Sequence, residues 1–209
     1  CVFQDGHAGA FSGGEFSGGG ALASSNAALH LYGCRFEACA AYNGGGVAGG
    51  VLWNSVIQDC TAQNQGGGVH QAELYNCLLV GNAALSGGGA CSSDLHNCTL
   101  VANAALVAGG GLYQGRLLNG ISYYNSAPSC SNYSGTVAYS CTTPLADGLG
   151  NRAEAPGFVD AASRDYRLLS HSICINNGWN EDDWMNEALD LAGSNRIQNS
   201  AVDMGAYES

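Results

Sequence analysis

Two stretches decide the fold: ELYNCLLVGNAALSGGGA, from Glu73 to Ala90, and DLHNCTLVANAALVAGGGL, from Asp94 to Leu112. They share an opening leucine, an Asn-Cys pair, a second asparagine and three consecutive glycines in the same order. Aligned on that leucine, the pattern continues in both directions as LYGCRF at Leu31, LWNSVI at Leu52, LYNCLL at Leu74, LHNCTL at Leu95 and LLNGIS at Leu117, with spacings of 21, 22, 21 and 22 residues. Glycine runs follow at Gly44 to Gly46, Gly66 to Gly68, Gly87 to Gly89 and Gly109 to Gly111. An earlier unit enters the motif at Cys1 (CVF) and carries an insertion before its own run, Gly18 to Gly20. Self-similarity at a fixed period of this length marks a solenoid, in which each repeat contacts mainly its neighbours.

The units lack the LxxLxLxxN frame of leucine-rich repeats and lack capped helical stretches. Short apolar alternations broken by Gly, Asn and Ser predict strands and tight turns instead. One 21–22-residue unit then makes one coil of a right-handed parallel β-helix, stacked on the next at about 4.8 Å. Cys34, Ser55, Cys77, Cys98 and Gly120 share one position, and Phe36, Ile57, Leu79, Leu100 and Ser122 lie two residues on, on the same inward face. Cys39, Cys60, Asn82, Asn103 and Asn125 share a third position, where stacked asparagines can pass amide hydrogen bonds along a bend. The glycine runs suit a bend with positive φ or a crowded approach between coils.

The totals agree with a packed chain. Of 209 residues, 46% are hydrophobic and 11% charged, the reverse of a disordered composition. The net charge is −11 and every basic residue is an arginine, which disfavours nucleic acid and anionic membrane surfaces as partners. No apolar run reaches the ~18 residues of a membrane helix. The reading is a single all-β domain over 1–209: regular coils over 1–125, an irregular continuation over 126–155, and a polar closing or capping tail over 156–209 that covers the end of the solenoid.

The repeats resemble the right-handed parallel β-helix units of bacterial secreted and surface proteins, in which NC…N…GGG coils are common. In the tail, PGFVDAASRDYRLLSHSICINNG (Pro156 to Gly178), DLAGSNRI (Asp190 to Ile197) and VDMGAYE (Val202 to Glu208) resemble the closing series of the choice-of-anchor Q family. Ser172 stands where that series has proline, and Asn176 where it has aspartate. The resemblance implies an extracellular or bacterial cell-surface location. It implies no reaction, because the fold hosts lyases, hydrolases, adhesins and passive stalks alike.

Few side chains suggest chemistry. Tyr32, Trp53, Tyr75 and His96 follow the opening leucines and should form an outward aromatic column, either a wall of mutually covering rings or a platform for sugar rings. Ala48, His70, Cys91 and Tyr113 form a second column after the glycines, also read as outward, with Cys91 the most accessible thiol. Among the coil acids, Asp5, Glu15, Glu37, Asp59, Glu73 and Asp94, only Glu73 and Asp94 share a register, as a weak cation site or as solvated wall residues. A glycosidase needs paired carboxylates and a lyase needs cations, of which the coils offer Arg35 and Arg116. The tail aspartates Asp160, Asp165, Asp182, Asp183, Asp190 and Asp203 have no EF-hand spacing and read as turn and cap residues. No catalytic residue, metal or cofactor is assigned.

Stacked cysteines at about 4.8 Å fall inside the disulfide window, yet Cys39 with Cys60 and Cys77 with Cys98 read equally well as free thiols packed as small hydrophobes. Cys130 and Cys141, flanking SNYSGTVAYS, are the candidate disulfide. Because Cys1 enters in mid-coil, the solenoid is expected either to pair end to end with another copy, giving filaments, or to continue in a longer chain. The expected role is a non-enzymatic extracellular structural or adhesive module. The alternative is a β-helix that binds or cleaves carbohydrate through the aromatic column.

Overall fold

The structure, a computed structural model, describes residues 1–6, 22–23, 29–180 and 183–209, with backbone alone at 22–23 and at 183. Glu15, Gly18 to Gly20, Asp182 and the Asp183 side chain lie outside that description. The chain forms a parallel β-solenoid of about five turns, the arrangement of a right-handed parallel β-helix. Three sheets run along it. The first has seven strands: Val2–Gln4, Arg35–Glu37, Val56–Gln58, Leu78–Val80, Thr99–Val101, Ile121–Tyr123 and Cys141–Thr142. The second consists of two parallel ladders that meet in the long strand Leu112–Leu118, which also pairs with Tyr133–Ala138. The third stacks Ala40–Asn43, Thr61–Gln65, Ala83–Ser86 and Ala104–Ala108.

Every pairing between coils is parallel, and the register is the one the repeat dictates. Leu31, Leu52, Leu74, Leu95 and Leu117 are successive partners, as are Phe3, Phe36, Ile57, Leu79, Leu100 and Ser122. Leu52, Leu74, Leu95, Leu117, Phe36, Ile57, Leu79 and Leu100 have no solvent exposure, and with Val47, Val69, Ala90 and Leu112 they fill the bore. Each such side chain contributes roughly 1.5–3 kcal/mol of burial before conformational entropy is charged against it.

The recurring polar letters satisfy the bends. Asn103 Oδ1 accepts from both the backbone and the side-chain amide of Asn82, at 3.0 and 2.9 Å, and Asn125 does the same for Asn103 at 2.9 Å each. The ladder runs from Cys60 N–H, which donates to Asn82, through Asn125 to Asn132. The glycine runs serve both purposes expected of them. Gly66 and its equivalents sit at φ near +65°, while a Cβ on Gly67 would stand 2.3 Å from the Gly88 carbonyl oxygen one coil on.

The tail packs on the side of the coils rather than across the end where the sequence reading put it. The outward face of the first sheet, with Leu78, Val80, Val101 and Ile121, meets Phe158, Tyr166, Leu168, Cys174 and Met204 in a second core. The tail therefore lies along the flank of the coils. The chain from Pro144 to Arg152 closes the bore: Ala146 packs into the first core, and Asn151 donates to the Val137 and Ala146 carbonyls. That stretch belongs to the segment the sequence marks as irregular, so flank and end are covered by different pieces of chain.

Candidate functional site: the aromatic column and the tail that closes it

After four of the five opening leucines, the αL residue two positions on is an asparagine that docks the tail. Asn54, Asn76, Asn97 and Asn119 all have φ between 47° and 53°, a conformation asparagine tolerates better than most residues. Held there, their amides face the tail. Asn54 Nδ2 donates to the Leu189 and Asp190 carbonyls, Asn76 to Leu189, Asn97 to Asp203 and Asn119 to Trp179, at 2.7–3.3 Å. Asn119 Oδ1 also accepts from Trp179 N–H at 2.7 Å. The sequence carries this signal in LWNS, LYNC, LHNC and LLNG, although the inward Cys and Asn columns draw attention away from it.

The docked tail is locked by a buried charge cluster. Arg196 is fully buried and donates through Nη2 to the Asp203 and Gly205 carbonyls at 2.7 Å, with Glu208 Oε2 at 3.7 Å. Burial pushes the Glu208 carboxyl up to about 7 against the pull of Arg196, and it raises Asp203 in the same direction. Asp190 accepts from the backbone of Ala192, Ser194 and Glu208, and Asp203 from Asn176 and Ser209. Asp160 caps the short turn at Ala161–Ser163, and Asp165 pairs with Arg167. The described tail aspartates thus hold turns, caps and ion pairs. Arg164 adds a two-pronged ion pair to Asp59 at 2.7 and 2.9 Å.

Next to this seam stand the four aromatic residues expected from the sequence, and the fold brings them together. Ring centroids are 6.1 Å apart for Tyr32 and Trp53, 3.9 Å for Trp53 and Tyr75, and 4.8 Å for Tyr75 and His96, with interplanar angles of 6–16°. The rings lie on one another like coins, so most faces are already occupied. Trp184, from the tail, stands nearly perpendicular to Trp53 and Tyr75 at 80° and 77°. Exposure falls along the column from 64% at Tyr32 to 6% at His96, whose Nε2 lies 3.2 Å from Arg116 Nη2. At the open end is a cleft of about 480 Å³ lined by Tyr32, Trp53, Asn54, Trp184, Glu187, Ala188 and Leu189. Trp184 and Glu187 fall outside the repeat and have no register that would have flagged them.

Other expectations meet different fates. Glu73 accepts from the Tyr75 hydroxyl, and Asp94 faces Arg116 at 3.9 Å, so the paired register is spent on separate partners. Cys91 is buried, not the accessible thiol expected, and His70 beside it is 7% exposed. The glycine bend turns back over this column: a Cβ on Gly87 would lie 2.8 Å from Cys91 Cβ. Cys130 and Cys141 are not bridged. Cys130 is exposed, whereas Cys141 is buried in the second core with its thiol against Cys174. The sequence brackets one short segment with Cys130 and Cys141, but the pairing of Cys141–Thr142 with Ile121–Tyr123 sets Cys141 beside Ile121 on the outward face of the first sheet, against the tail.

The column cysteines are free as well. Cys34, Cys77 and Cys98 each direct Sγ to the carbonyl two residues back, as Ser55 does with its hydroxyl. Burial drives the Cys77 thiol well above its ordinary range and Cys60 to about 12, which leaves almost no nucleophilic thiolate at neutral pH. A Cβ at Gly120 would strike Leu117 Cδ1 at 2.3 Å, which explains the break in that column. Among the described residues no helix is long and apolar enough to cross a membrane. Comparison with known protein families finds no match, and no curated protein is similar to this chain beyond chance.

Proposed function

We propose that this chain is a non-enzymatic structural or adhesive module of the extracellular or bacterial cell-surface kind, a stiff solenoid that presents a recognition cleft at the open end of its aromatic column. The observation that carries this reading is the packing of Trp184 across the column, which leaves a cleft at Tyr32 and Trp53, while the neighbouring carboxylates Glu73 and Asp94 are engaged by Tyr75 and Arg116. A panel of soluble polysaccharides incubated with the protein tests it. No new reducing ends and no unsaturated products are expected, and steady product release would overturn the non-enzymatic reading.

Carbohydrate recognition or cleavage is the second reading. It is favoured by the aromatic lining of the cleft with the Glu187 carboxylate at hand. Glycan-array binding that Trp53→Ala abolishes would establish it. Kinship with the choice-of-anchor Q family belongs to the same proposal. Its support is that the tail letters carrying the resemblance, Arg196, Asp203, Gly205 and Glu208, form the buried lock. Head-to-tail filaments are the assembled form proposed for the module, in which the first coil of one copy, at Val2–Gln4, would meet the Pro144 to Arg152 stretch that covers the bore of the next rather than a bare ladder edge. Electron microscopy at high protein concentration should show fibres, and dispersed single particles would sink that form.

A further inference from the structure

We propose that the cleft at the Tyr32 end of the column binds a quaternary or alkylated ammonium group. The inference rests on the recognition reading above and names the chemistry of its ligand.

Shape comes first. Trp53 and Trp184 meet at 80° with their centroids 5.4 Å apart, and Tyr32 lies 6.1 Å from Trp53 on the side away from Tyr75. Trp184 is also nearly perpendicular to Tyr75, at 4.9 Å, so it stands against the stacked Trp53–Tyr75 pair, and its ring and the column rings lining the cleft meet as a corner. A compact tetrahedral cation touches both walls of a corner, whereas a flat sugar ring stacks on one wall and loses the other. Tyr75 covers the far face of Trp53 at 3.9 Å.

Charge points the same way. Indole and phenol faces are negative in their quadrupole and attract cations held within about 6 Å of the centroid, Trp most strongly. Among the described lining residues Glu187 is the one charged side chain, and it is negative. The whole chain is at −11, so its field also draws cations towards the surface. At about 480 Å³ the cleft has room for the ammonium head and part of the group that carries it.

The test is titration of the intact chain with choline at pH 8, followed by tryptophan fluorescence and calorimetry. 3,3-Dimethylbutan-1-ol, the uncharged isostere of choline, and methyl β-glucoside are run beside it. Choline should bind at least tenfold more tightly than the neutral isostere, and raised salt should weaken it. Glu187→Gln should weaken choline several-fold, Trp184→Ala should abolish binding, and Trp184→Phe should retain part of it, which separates a lost ring from a disturbed fold. Equal binding of choline and its isostere overturns the proposal, because the cleft would then be merely apolar. Binding of the glucoside without choline overturns it too while leaving the recognition reading standing. No binding of any probe overturns both. Phosphatidylcholine vesicles against free choline then distinguish a lipid headgroup from a soluble ligand.

Discussion

Cysteine and serine interchange in one inward column because both donate to the carbonyl two residues back. Cys98 Sγ lies 3.3 Å from the His96 carbonyl oxygen, and Ser140 Oγ lies 2.7 Å from that of Ala138. Cys98→Ser should therefore change stability by less than about 1 kcal/mol, the typical worth of such a bond, as read by urea unfolding. Glycines are not interchangeable in the same way. A Cβ on Gly88 would stand 2.3 Å from the Ala104 carbonyl oxygen and 2.5 Å from that of Gly110, backbone atoms that cannot yield. Gly88→Ala should cost about 3 kcal/mol or more. Gly33, at φ +58° with nothing within 4 Å of its Cβ position, occupies the register of Asn54 and Asn76. Gly33→Asn should stay within about 0.5 kcal/mol of the parent, so the pair separates crowding from backbone freedom.

At the scale of elements, the tail is held by a strip of asparagine amides and a buried lock. Arg196→Met would leave Glu208 and Asp203 buried without their cation, at a cost of about 3–5 kcal/mol, and hydrogen exchange should rise first in residues 189–206. The lock also sets a pH dependence. Glu208 titrates at about 7 in the fold against an ordinary 4.5, so between those values the native state binds more protons than the unfolded chain. Stability must then fall as pH rises from 4.5 through 7, by up to about 3 kcal/mol, with Asp203 contributing in the same direction. Thermal unfolding between pH 4.5 and 8 should show that decline, and Glu208→Gln should flatten it. The placement of the tail was hidden in the sequence for a physical reason. Its partners on the tail side are mostly backbone carbonyls, of Trp179, Leu189, Asp190 and Asp203, and any residue supplies a carbonyl.

Across the whole molecule, what the sequence made legible is what repeats. Period and register placed the leucine, Phe36 and Asn82 columns and the aromatic stack, because a coil that must lie on its neighbour repeats its packing letters. What it hid is what occurs once or departs from simple alternation. Trp184 reaches the column from outside the repeat, Cys141 meets Cys174 across the second core, and Cys91 is buried because a glycine bend crowds a two-residue strand on its outer side. The functional proposals depend on the stacking of the coils, since only that register puts Tyr32, Trp53 and Tyr75 in one column for Trp184 to close. The direct measurement is a methyl NOE spectrum of leucine-labelled protein. Cross-peaks from Leu74 to both Leu52 and Leu95, repeated from Leu95 to Leu117, are the result expected of parallel coils in this register. Leucine contacts at other separations, with those cross-peaks missing, would contradict the account.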